Sequence, residues 1–220
     1  MLTVASLLVC TAYTQIDHKN VVTDYDGNLY HTIKIGTQIW MVENLKTTHY
    51  RNGDPVIQVK GDIDWSNMKT GAYCNYDNSS ANAEIYGRLY NKEAVMDSRN
   101  IAPAGWHIPT IEEWKTLQNF LGGASISGGK LKEIGTMRWV YPNKGATNTS
   151  GFTGLPGGFR FRNGLFGSMG FVSYMWASDF KRIDGTDTPW FRLVTSSEQS
   201  INHNDYSEAT GFSVRCIKDK

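Results

Sequence analysis

Between Ile101 and Trp114 the apolar and polar positions follow the order of a turn, a short strand and a helix start. Pro103 and Gly105 bracket the turn. Trp106-His107-Ile108 alternates like a strand buried on one face. Thr110, with Glu113 three residues on, forms a helix N-cap and capping box that satisfies two orphan amide donors. The helix then runs from Ile111 to about Leu121, with Ile111, Trp114, Leu117 and Leu121 on one face and Gly122-Gly123 as its stop. A further helix is predicted over Leu89 to Met96, where Leu89, Tyr90, Glu93, Ala94 and Val95 suit helical spacing.

The rest of the pattern predicts strands and turns. Tyr30 to Ile35 alternates, Gly36-Thr37 turns and Gln38 to Met41 returns; glycine at the first central position suits a type II′ hairpin. Asp24 to Asn28 and Asn52 to Pro55 are turns. Gln58 to Ser80 is irregular and polar, anchored by Trp65 and Tyr73. After Gly128-Gly129 the chain is turn-rich, with weak alternation over Thr188 to Thr195. Phe212 to Ile217 is a final strand, with 212, 214 and 216 on one side. Helices in the middle and strands on either side predict an α+β fold rather than alternating βαβ units.

Composition narrows the function classes. A chain of 220 residues fits one domain and buries about 70% of its unfolded surface without needing disulfides. The net charge is +1 with no basic stripe, so a nucleic-acid footprint is missing. No run reaches the roughly 20 apolar residues of a membrane span. Residues 1–21 read as the remnant of a secretion signal plus a short leader: Leu2 to Val9 is mostly apolar, and Cys10-Thr11-Ala12 offers a small-residue cleavage site. This predicts an exported protein, periplasmic, secreted or on the outer surface, with 22–220 as its single domain. Removal of Cys10 leaves Cys74 and Cys216, which can pair in an oxidising compartment or stand as two separate buried thiols.

Six short motifs occur in one order. They are Ile35-Gly-Thr-Gln-Ile-Trp-Met-Val-Glu-Asn-Leu45 preceded by Asp26-Gly-Asn28, Tyr86-Gly-Arg-Leu-Tyr-Asn91, Pro103-Ala-Gly-Trp-His-Ile-Pro109, Gly128-Gly-Lys-Leu-Lys132, Leu155-Pro-Gly-Gly-Phe-Arg160 and Gly211-Phe-Ser-Val-Arg-Cys-Ile217. Together they resemble the Fibrobacter succinogenes major paralogous domain family, over about residues 22 to 219. The resemblance implies a C-type-lectin-like fold related to formylglycine-generating enzymes, with two helices, twisted antiparallel sheets that bring the chain ends together, and a long irregular loop region. Family members often carry Cys where this chain has Ala102, as a partner for the last-strand Cys; here that partner is missing, and Cys74 is the other candidate for Cys216.

Lectin-type Ca²⁺ ligand motifs are absent, so no cofactor is expected, and Asp179, Asp184 and Asp187 form the one cluster that suits a different Ca²⁺ site. The Asp24 to Asn28 turn only mimics the start of an EF-hand loop, since its glycine comes two positions early. The reactive cysteine pair of formylglycine-generating enzymes is reduced to Cys216, in an apolar pattern that makes a poor nucleophile. His107 is expected to serve the junction by hydrogen bonding. Trp190, Arg192, Asn202, Asn204, Asp205 and Tyr206 lie in the last loops, where aromatic faces and amides can hold a sugar or a peptide. The expected function is a binding or adhesion module for a glycan or a surface protein; a protein-modifying enzyme and a purely structural surface protein are the alternatives.

Overall fold

The computed structural model describes residues 20–183, 186–205 and 210–220; over 180–193 and 203–205 it is the backbone course that is described. The fold is α+β. Its principal sheet has five strands in the order β1-β2-β3-β13-β7: β1 Val21–Thr23, β2 Leu29–Ile35, β3 Gln38–Met41, β7 Trp106–His107 and β13 Ile217–Lys218. Every pairing in it is antiparallel. The β2–β3 hairpin closes through Gly36, whose φ of 62° is the left-handed value that a primed two-residue turn needs.

This sheet is covered on both faces. Ile33, Trp40 and Ile217 stand in register across three strands and pack in one core with Trp114 and Leu117. Met41, Trp106 and Cys216 belong to a second core with Tyr30, Tyr90 and Phe212. Burial on both sides also changes the reading of Phe212 to Ile217. All six residues are buried, Ser213 and Arg215 included. Residues 211–213 bridge to other segments, and the strand proper begins only at Ile217.

The predicted capping box is present. Thr110 Oγ1 accepts from Glu113 N at 3.2 Å, and Glu113 Oε2 accepts from Thr110 N at 2.9 Å. Helix α4 spans Ile111–Phe120 and ends at Gly122 and Gly123, both at positive φ. The predicted helix over Leu89 to Met96 is shorter. Leu89–Tyr90 is strand β6, paired with β5 (Ala72–Cys74) beside β4 (Ile57–Gln58), and Asn91 caps α3 at Lys92–Met96. Asn91 Oδ1 accepts from both Ala94 N and Ala72 N, so one amide starts the helix and ends the strand contact.

Among the described residues three α-helices go beyond the expected two: α1 Asp62–Asn67, α2 Ser80–Tyr86 and α5 Ala124–Leu131. The Gly128-Gly129 pair lies inside α5 rather than ending a helix, because the backbone of 145 and 199–200 runs against it. Strands β8 (Phe159–Arg160) and β9 (Phe166–Gly167) form a small hairpin. The long hairpin of β10 (Val172–Ile183) and β11 (Thr186–Thr195) is extended by β12 (Asn202–Asp205).

Candidate functional site

Five of the six residues expected to form a binding face fall on two neighbouring strands. Trp190 on β11 stands opposite Asp205 on β12; Asn202 pairs with Leu193, Asn204 with Phe191, and Arg192 with His203. β12 is the outer strand of its sheet. Tyr206 lies outside the described residues. Of the aspartate cluster, Asp179 lies on β10 and Asp187 on β11. Asp179 Oδ1 accepts from the Ile111 amide at 2.7 Å, at the N-terminus of α4, where a carboxylate is favoured. Asp187 pairs in register with Arg182, and Asp184 lies outside the described residues. Among the described residues no three His, Cys, Asp or Glu side chains come together as a metal-binding group.

Three motifs carry a basic residue at or near their end, and each of these, Lys132, Arg160 and Arg215, is a fully buried cation. Lys132 Nζ donates to the carbonyls of Lys144, Thr195 and Glu198 at 2.7 to 2.8 Å and lies 5.5 Å from the Trp139 ring. Burial pushes its pKa down to about 8, and the Glu198 carboxylate opposes the shift. Three N–H donors meet three carbonyls, so the ammonium form fits this cage. Arg160 donates to the carbonyls of Val59, Lys60 and Gly164 and to Asp62 Oδ1, between the rings of Trp65 and Phe166. Arg215 holds Asn44 Oδ1 and the carbonyls of Met41 and Phe152. These motif residues bind irregular segments together, and their positions identify scaffold.

One loop held this way presents an apolar face that the sequence reading missed. Asn143 Nδ2 donates to the carbonyls of Glu133 and Gly135, closing residues 133–143 into a compact loop. Trp139 fills it, fully buried, with Nε1 donating to Gly154 O at 3.0 Å. An Arg138–Glu133 ion pair and the Val140 N–H to Gly170 O bond pin its sides. From this fixed frame Met137 is 89% and Tyr141 83% exposed, with Ile134, Val140 and the neighbouring Phe171 also at the surface. The available signal was Ile134, Met137, Val140 and Tyr141, apolar residues within a stretch where only Trp139 is needed for the core.

His107 is committed to the junction. Its Nε2 lies 2.9 and 3.0 Å from the Glu113 carboxylate oxygens, and its Nδ1 lies 2.6 Å from Asp219 Oδ1. Cys74 and Cys216, the candidate disulfide pair, are free thiols in separate cores. Burial pushes the Cys74 thiol up to about 12 and Cys216 well above the usual thiol range. Neither is placed to act as a thiolate nucleophile.

No curated protein and no solved structure matches the chain. A family model described as the Fibrobacter succinogenes major domain matches residues 33–218.

Proposed function

The chain belongs to the Fibrobacter succinogenes major domain family, and from that premise we propose that it is a non-catalytic binding or adhesion module whose ligand is a protein. The observation that carries this reading is the 133–143 loop. Its exposed side chains are mainly Met, Ile, Val and Tyr, a composition suited to the desolvated centre of a protein interface. Clustered exposed apolar residues mark an interaction site more often than scattered ones do, and Ile134, Met137, Val140 and Tyr141 are gathered in one loop. The frame of Trp139, Asn143 and Lys132 holds the loop in advance, which lowers the ordering cost of binding.

We further propose a C-type-lectin-like arrangement for this α+β fold and an exported location. The first is supported by β1 and β13, which bring the two ends of the described chain into one sheet. The second is supported by the apolar start of the sequence.

A photo-crosslinking side chain placed at position 137 tests the function in the cells that make the protein. A discrete protein adduct is expected, weakened at least tenfold by Tyr141→Asp, a change at an exposed position that leaves the fold intact by circular dichroism. If position 137 yields no more adduct than the same probe at the half-buried Lys92, outside the loop, the reading fails.

A further inference from the structure

A cleft of about 200 Å³ opens between Thr23 to Tyr25, the segment of Thr47, His49 and Arg51, and Ile101 to Ala104. None of these segments belongs to the 133–143 loop. One wall is an oriented imidazole. His49 Nδ1 is hydrogen-bonded to Asp26 Oδ1, while Asp26 Oδ2 accepts from the Thr48 amide and from the hydroxyls of Thr47 and Thr48. In the neutral imidazole a carboxylate at Nδ1 holds the ring proton there, and Nε2 of that tautomer is an acceptor.

The second polar wall is Arg51. Its Nε donates to Ala102 O at 3.1 Å, and its Nη2 donates to Pro103 O and Trp106 O at 2.9 and 2.6 Å. Among the described residues, neither His49 Nε2 nor Arg51 Nη1 has a hydrogen-bond partner. The third wall is the Tyr25 ring, 60% exposed and 5.3 Å from the imidazole. Asp24 is already occupied by Asn28 and Tyr30.

We propose that this cleft binds a single neutral sugar ring. An acceptor and a donor on residues that line the same cleft suit vicinal hydroxyls, each of which both donates and accepts. One hydroxyl donates to His49 Nε2, its neighbour accepts from Arg51 Nη1, and the C–H face of the ring lies on Tyr25. A carboxylate only accepts and would face the Nε2 lone pair. The volume is below the roughly 300 Å³ of an ordinary small-molecule pocket, which limits the occupant to one ring.

The test is an amide-resolved NMR titration of the full chain with methyl glycosides of glucose, galactose and mannose, and with acetate and inorganic phosphate as competing chemistries. At least one glycoside is expected to shift the Tyr25, His49, Arg51 and Ala104 signals saturably. Tyr25→Ala should weaken that binding at least fivefold, and Tyr25→Phe should retain it. The proposal is overturned if no glycoside shifts these signals, if acetate or phosphate binds there more tightly, or if Tyr25→Ala leaves the affinity unchanged.

Discussion

His107 Nδ1 and Asp219 Oδ1 lie 2.6 Å apart and pin the chain beyond β13 to the sheet. The same imidazole reaches the Glu113 carboxylate on its other side, so one ring joins the chain end to the cap of α4.

This clasp is pH-dependent. Burial presses His107 downward, but the hydrogen bonds to Asp219 and Glu113 outweigh it and raise its pKa above 6.5. Burial pushes Glu113 upward, but the Thr110 amide and His107 outweigh it and lower its pKa below 4.5. The His107 contribution is complete below the unfolded pKa and is lost as pH rises through the raised folded value. The Glu113 contribution is complete above its unfolded pKa and is lost as pH falls through the lowered value. His107→Gln should therefore cost about 1 kcal/mol near pH 5.5, a modest figure because the site is partly exposed. Urea midpoints of the two proteins should converge by about pH 9; an equal gap at both pH values would refute the clasp.

Gly128→Ala and Gly129→Ala reverse the usual helix rule. Alanine normally gains about 1 kcal/mol over glycine inside a helix. Here a Cβ at 128 would lie 2.1 Å from Ser200 O, and one at 129 would lie 2.2 Å from Gly145 O. Both atoms are backbone, so neighbouring segments must move, at about 1–3 kcal/mol or more. Thermal unfolding should show both variants destabilised; a stabilised one would mean that the 145 and 199–200 segments do not press on α5.

Lys132→Met tests the ammonium cage. The substitution keeps much of the stem and leaves three buried carbonyls without their donor. Each unsatisfied group costs about 1–3 kcal/mol, so a total loss of about 3 kcal/mol or more is expected in urea denaturation. A loss below about 1 kcal/mol, the worth of one ordinary hydrogen bond, would show that the carbonyls find other partners.

Cys74 and Cys216 should resist alkylation in the native protein and react together on unfolding, since both are buried with raised pKa values. Mass spectrometry after a timed pulse of iodoacetamide, without reductant, distinguishes the outcomes. Rapid native labelling of either thiol contradicts the burial, and a cross-linked peptide contradicts the free state.

What was legible in the sequence is what is encoded locally. Thr110 and Glu113 announce the α4 cap because both partners lie within one turn. Trp65 and Tyr73 stand out as anchors because large aromatics in a polar stretch have little else to do, and both are buried. Leu89 and Tyr90 resemble the start of a helix because β6 is too short to show alternation, and its partners lie at Tyr73 and Cys74. The signal that could have corrected this was Asn91, a good N-cap placed after them. Arg215 looked like the polar side of an alternating strand; its acceptors at Met41, Asn44 and Phe152 are remote in sequence and leave no local trace. The 133–143 loop was missed for the same reason, since its closure depends on one Asn143 amide reaching back to two carbonyls.

The placement of β13 has a consequence for how the molecule is made. It lies between β3 and β7, so two parts of the principal sheet are joined only when residues far along the chain from both have docked. Until then β3 and β7 each present an open edge, the kind of surface that pairs with other chains. Contacts between such distant segments also slow folding, because loop closure must precede their reward. Loss of Ile217 and Lys218 would leave β3 and β7 unjoined, each a template on which another chain could pair.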